Sequence, residues 1–287
     1  MGTGWHEWPL MIFTVLGQCV VGAFIVVALV LAGVKQEHGV KRTLQIRMIL
    51  LWVLMGVAFL ASVMHLGSPL RAFNALNRLG ASPLSNEIAG GTLFFVLGGL
   101  YWLLAVLNKL PQALSKAWLL VTGLVGIGFI GMMGRVYQIN TVPTWNIAYT
   151  SLSFALTALI GGPLLGYLLL RSANVADRGL VRLLPLVSLL ALLISCAAWF
   201  SQAAGLSTLQ SSVQSASSLV PALGTLLGWR LVFVTVGLGC WIIPLLKQTT
   251  PGVLSLAGAW MLVVAGELIG RGIFYGLHMT AGLTYGG

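Results

Sequence analysis

Long apolar runs broken by short polar, Pro- or Gly-rich punctuation repeat along the whole chain, and none alternates apolar and polar residues as a barrel strand does. Eight of these runs approach the ~20 apolar residues a helix needs to cross a bilayer core: Pro9–Gly33, Leu44–Leu66, Ile88–Leu107, Ala117–Val136, Ala148–Leu170, Leu183–Ala204, Trp229–Leu246 and Val253–Tyr275. The pattern predicts an all-α, polytopic membrane protein. Connections between the runs are too short for an extramembrane domain, so residues 1–287 read as one integral membrane domain. No repeat is visible residue by residue, although eight short-looped helices are compatible with packing as two four-helix groups. The first run follows MGTGWHEWP, which has no Lys or Arg, and exceeds the ~7–15 residue apolar core of a cleaved signal peptide, so the first span is expected to be retained.

Composition agrees with the pattern. Charged residues are 7% of the chain, against a usual share of about 25%, and apolar residues are 58%, which excludes an ordinary soluble domain. The net charge of +10 does not mark a nucleic-acid binder, because the basic residues are scattered singly between apolar runs instead of forming a patch. Their placement carries topology instead. Lys35, Lys41, Arg42, Arg47, Lys109, Lys116, Arg171, Arg178, Arg182 and Lys247 fall in or beside the loops after spans one, three, five and seven; Arg71, Arg78, Arg135, Arg230 and Arg271 fall toward the other side. Ten against five places both termini outside the cytoplasm. Trp5, Trp8, Trp118, Trp145 and Trp229 lie near helix ends, as interfacial aromatics do. Cys19, Cys196 and Cys240 lie inside apolar stretches with no Cys-x-x-Cys pair, and read as small packing residues, not as a metal or cluster site.

Ionisable groups in a spanning helix are costly unless paired or hydrated, and therefore mark candidate sites. His65 closes span two, Glu87 opens span three, and Glu267 and Arg271 stand four apart on span eight, all toward the outer half of the bilayer. Between His65 and Glu87 runs GSPLRAFNALNRLGASPLSN, in which Leu70–Leu79 reads as a short amphipathic helix. Ser85 or Asn86 is expected to cap span three, with Glu87 in its first turn, where a helix-dipole role competes with a chemical one. The competing reading of His65 is an interfacial histidine bonded to backbone, and Glu267 with Arg271 reads as a structural pair within one helix. A histidine and a carboxylate beside an apolar slot suit either removal of two protons from a quinol or a proton-coupled transporter. The residues alone leave those two open.

Several stretches resemble one known family: GWHEWPLMIFTVLGQC, WVLMGVAFLASVMHLGSPLRAFNALNRLGASPLSNEIA, TVPTW, GGPLLGYLLL, SSVQSASSLVP and GELIGRGIFYGLHMT. They are similar to the membrane anchor subunit of bacterial dimethyl sulfoxide reductase, the DmsC family, including a paralogue that serves a selenate-reductase-like enzyme. MHLGSPLRAFN and SNEIA carry specificity, since hydrophobicity does not force them. The resemblance implies a multi-pass protein of the bacterial inner membrane with periplasmic termini, without haem or an iron–sulfur cluster of its own. It further implies a heterotrimer with a molybdopterin catalytic subunit and a ferredoxin-like subunit holding four [4Fe–4S] clusters. By the same resemblance the chain binds and oxidises menaquinol in anaerobic respiration, with His65 as proton acceptor, Glu87 as second acceptor or hydrogen-bond partner and Arg71 as a neighbour that orients the quinone or binds the partner. No metal ligand set is expected.

Two other functions compete with that reading. A haem-bearing cytochrome b type anchor needs histidines facing each other across the bundle, and only His65 and His278 are placed even loosely for it. A secondary transporter places ionisable residues and broken helices near the midplane, whereas here Pro163 and the glycines of 126–134 are the interruptions and the charges gather toward one face. A quinol site at the outer face is most of a ~30 Å bilayer from the cytoplasm, so either the quinol head sits deeper than His65 suggests or the iron–sulfur partner docks on the same face as His65, and the second is expected.

Overall fold

The computed structural model describes residues 3–33, 37–65, 74, 77–175, 178–206, 219–220 and 222–279. Among these the regular structure is helical. A 3₁₀ turn at Thr3–Glu7 leads into α1 (Trp8–Gly33), followed by α2 (His38–Arg47), α3 (Ile49–His65), α4 (Pro83–Val106), α5 (Gln112–Val136), α6 (Ala148–Ser172), α7 (Arg178–Leu206), α8 (Leu223–Leu246) and α9 (Val253–Gly276). Among the described residues, eight helical segments are long and apolar enough to span a bilayer, and they match the eight expected runs to within a few residues at most ends. The second span starts earlier than expected. The polar helix α2 precedes α3 with a one-residue break at Met48, whose N–H is shared between the carbonyls of Leu44 and Gln45. A helix with so few apolar residues is stable only because Leu44 and Gln45 are buried against the bundle.

Of the eight spans, α1 and α6 are the most buried. They pack on each other along a seam of small residues: Cys19 meets Gly161, Gly22 meets Ala158 and Gly162, and Val26 meets Gly166. A methyl group at residue 22 would lie 2.4 Å from the Ala158 carbonyl oxygen. Lipid tails are as apolar as leucine, so helices associate here through close backbone approach instead of hydrophobic burial, and glycine permits it.

The remaining spans hang on this pair in two similar sets. α3 packs on α1 and α7 on α6; α4 packs on α5 and α8 on α9; then α5 returns to α1 and α9 to α6. The two four-helix groups compatible with the loop lengths are thus formed by spans one to four and five to eight. In the first group Phe13, Phe24, Trp52, Phe59, Phe94, Phe95 and Phe129 form a chain of ring contacts with centroids between 5.5 and 6.2 Å.

Pro163 inside α6 has no N–H to return to the Leu159 carbonyl. Ser188 of α7 repairs the gap, donating its hydroxyl to the carbonyls of Leu159 at 3.2 Å and Ile160 at 3.0 Å. Trp8 and Trp229 are exposed near helix ends as interfacial residues should be. Trp118 and Trp145 also tie helices together, donating Nε1–H to the carbonyls of Leu97 at 2.9 Å and Phe274 at 2.8 Å.

Candidate functional site

Ser82 is the N-cap of α4; its side chain accepts from the Ser85 N–H, and Pro83 takes the first helical position, where its missing N–H is no loss. Asn86 does not cap the helix but accepts from the Gly80 N–H at 2.7 Å, closing the preceding turn. The expected cap at Ser85 or Asn86 is therefore corrected to Ser82, and Glu87 moves out of the first turn. This removes the reason to read Glu87 as a helix-end carboxylate held by the dipole, an effect confined to the first turn.

Glu87 instead lies on the face of α4 turned into the bundle, in line with Gly90, Gly91, Phe94, Gly98 and Tyr101, and is 4% exposed. Next to it along the helix, Gly90 and Gly91 let the Met132 and Phe129 side chains of α5 approach closely. Its Oε1 has no hydrogen-bond partner among the described residues. The carboxylate is also within electrostatic reach of Tyr137 and Tyr275, whose hydroxyls bond each other at 2.7 Å.

His65 is the last residue of α3. Its side chain, the whole of Arg71 and most of the Leu70–Leu79 segment lie outside the described residues. The end of α3 and the start of α4, joined by residues 66–82, share one end of the bundle.

Toward the same end lies a second polar group. Glu267 does not pair with Arg271 along α9, as the spacing suggested. Its Oε1 accepts from Arg230 Nη2 of α8 at 3.0 Å, and its Oε2 accepts from the Thr157 hydroxyl of α6 at 2.6 Å. Arg230 also donates to Ser195 of α7 at 2.8 Å, and Arg271 donates to Gln18 of α1 at 3.0 Å and Thr157 at 3.4 Å. The Arg271 guanidinium sits 3.7 Å from the centre of the Phe154 ring. Within a single helix a glutamate and an arginine four apart are held at its surface, whereas here both side chains turn inward toward different helices. Arg230, the second residue of the span expected at Trp229–Leu246, is 4% exposed.

The group lies in the half of the bundle expected for it, and deep within that half. Glu267 is nine residues from the end of α9 at Gly276, about 14 Å along the helix axis, which brings it close to the middle of a ~30 Å core. Ser153, Thr157, Trp199, Arg230, Glu267, Gly270, Arg271 and Phe274 surround a cavity of about 20 Å³, room for one water. His278 lies apart, against the Trp145 ring with centroids 4.7 Å apart. Cys19, Cys196 and Cys240 are free thiols on three different helices.

Eight spans with only short connections among the described residues, and carboxylates buried between them, define a multi-pass helical membrane protein in which the polar chemistry is inside the bundle. The chain belongs to the DMSO reductase anchor subunit family, DmsC, which it matches over residues 1–277. It is 55% identical over 285 residues to the C subunit of the anaerobic dimethyl sulfoxide reductase of Escherichia coli K12, and the match covers 99% of both proteins. It is 52% identical to the anaerobic dimethyl sulfoxide reductase subunit YnfH of the same organism and 41% identical to the C subunit of the Haemophilus influenzae enzyme, covering 100% of both proteins in each case. The resemblance read from MHLGSPLRAFN and SNEIA is thereby borne out.

Proposed function

We propose that this chain is the anchor and quinol-oxidising subunit of a dimethyl sulfoxide reductase-type complex in the bacterial inner membrane. The observation that carries the reading is Glu87: a carboxyl group enclosed by the bundle, with one oxygen free of partners among the described residues, at the end of the bundle where α3 closes with His65. Burying such a group without a partner costs free energy and is tolerated mainly where function requires it. Its chemistry suits a substrate hydroxyl. Oxidation of menaquinol to menaquinone releases two electrons and two protons; His65 takes the first proton and Glu87 the second, and both protons leave at the end of the bundle where α3 ends and α4 begins. Arg71, between them in sequence, orients a quinone carbonyl or contacts the partner.

The electrons pass to a ferredoxin-like partner carrying four [4Fe–4S] clusters, and from it to a molybdopterin catalytic subunit. The relatives are named as subunits of anaerobic dimethyl sulfoxide reductases, which supports such an assembly. Electrons do not cross a ~30 Å bilayer unaided, so the partner docks at the same end as Glu87. With the excess of Lys and Arg at the opposite end, that end and both termini are periplasmic.

The test is quinol-driven reduction of the iron–sulfur partner in membranes holding the intact complex. Glu87→Gln and His65→Arg are expected to assemble normally and to lose turnover by about 100-fold or more, the range for a lost proton-transfer group. Unchanged turnover in both variants overturns the assignment. A Soret band in the purified complex would favour the haem-bearing alternative. One observation favours a transporter instead: the Arg230–Glu267 pair lies near mid-depth, between α8 and α9 and bonded to the Pro163-interrupted α6. Proton-linked uptake by proteoliposomes lacking any partner would decide for it.

A further inference from the structure

The end of the bundle opposite Glu87 has a cavity of about 300 Å³ lined by His38, Lys41, Arg42, Gln45, Asn108 and Ser115, among others. It lies where α2 and α5 begin and α4 ends. Three basic side chains face it and, among the described residues, no carboxylate lines it; Glu37, just before His38, is exposed and not part of the lining. His38, Lys41, Arg42 and Gln45 line it along one flank of α2, Ser115 comes from the first turn of α5, and Ala105 and Asn108 come from the end of α4 and just beyond it.

The site is also organised before any ligand arrives. Arg42 is held by Asn108, which ends α4 in a left-handed conformation with φ 55°, and Arg42 Nη2 reaches the Val106 carbonyl at 3.5 Å. A guanidinium has five N–H donors, so several remain for an anion. Beneath the cavity, the buried Gln45 donates to the Tyr101 hydroxyl at 3.3 Å, and Tyr101 bonds Ser115 at 3.1 Å, fixing the floor. On the lipid side of the same helices, Ile46, Leu103 and Leu107 are exposed.

We propose that this cavity binds a phosphate ester, and that its source is the headgroup of an anionic phospholipid. The basic lining matches the phosphate charge, the position at the helix ends matches the headgroup level, and the exposed apolar flank matches the acyl chains. Basic pockets between spans at the cytoplasmic face bind lipid phosphates in this manner.

The experiment is native mass spectrometry of the full-length chain, with whatever subunits co-purify, offered phosphatidylglycerol against phosphatidylcholine. The protein is expected to retain phosphatidylglycerol about tenfold better. Lys41→Gln with Arg42→Gln is expected to abolish that preference, whereas Arg182→Gln with Lys247→Gln, which removes equal charge from the same end of the bundle outside the cavity, is expected to leave it. Retention of the preference by the cavity variant overturns the proposal, as does an equal loss in both variants, which would mean diffuse attraction only. Millimolar inorganic phosphate is the second arm: persistence of bound phosphatidylglycerol supports the lipid, and its displacement overturns the lipid source in favour of a free phosphate.

Discussion

Removing the Glu267 carboxylate should destabilise the helix bundle far more than removing the whole ion pair. In Glu267→Gln the neutral amide keeps the shape, but the bond from Arg230 at 3.0 Å loses its charged acceptor, and Arg230 and Arg271 are left as two buried cations without an anion in their group. The two bonds that Glu267 accepts, from Thr157 and Arg230, amount to about 1 kcal/mol together at the strength typical of hydrogen bonds inside a membrane protein. The uncompensated charge raises the total to about 3 kcal/mol, the lower end for breaking a buried pair. That is a shift of about 100-fold in the folded-to-unfolded ratio. Replacing both partners, Arg230→Met with Glu267→Leu, removes one cation and the anion together, leaves the charge of the group unchanged with Arg271 still held by Gln18 and the Phe154 ring, and should fall within about 1 kcal/mol of the native chain. The assay is reversible unfolding in mixed lipid–detergent micelles as the fraction of sodium dodecyl sulfate rises, followed by tryptophan fluorescence. A Glu267→Gln cost below about 1 kcal/mol, or a double variant as unstable as the single one, would show that water reaches the pair and that it is not a desolvated interaction.

Other variants probe separate parts of the bundle. Gly22→Val must push α1 away from the Ala158 carbonyl and should abolish recovery of folded protein, whereas Gly33→Ala, with open space around it, should change stability by less than about 0.5 kcal/mol in the same micelle assay. Ser188→Ala leaves the Leu159 carbonyl unpaired beside Pro163 and should cost about 1–2 kcal/mol. Tyr137→Phe and Tyr275→Phe each break the same 2.7 Å bond; each should cost about 1 kcal/mol, and the double variant little more than either, which a double-mutant cycle reads directly.

The eight spans are legible because lipid imposes a length and a composition on any helix that crosses it, and both are visible one residue at a time. The start of the second span is not, because α2 is polar and has no apolar run to announce it. For span three the decisive signal is local: Ser82 followed by Pro83 is a cap and a first helical residue, and that pair places Glu87 in the helix body, facing inward. Arg230 and Gln18 are hidden for a different reason. Spacing along one helix offers Arg271 as the partner of Glu267, and the sequence contains nothing that states which residues of α1, α6 and α8 will face α9. The partner of a buried charge is a property of packing. His65 stands out by chemistry and by family resemblance, and it ends α3.

The glycine seam between α1 and α6 has a consequence for how the protein is made. Gly22 and Gly162 are 140 residues apart in the chain, which a ribosome covers in about 7–28 s. During that interval α1 is already in the bilayer while the face that will receive α6 is covered by lipid alone. The first four spans must therefore hold α1 in place as a provisional bundle, and the fifth must displace lipid from a surface whose side chains are small, with glycine at its closest point. A chain released before residue 162 should leave α1 without its principal neighbour, exposing a narrow strip of small residues that membrane quality-control proteases can recognise.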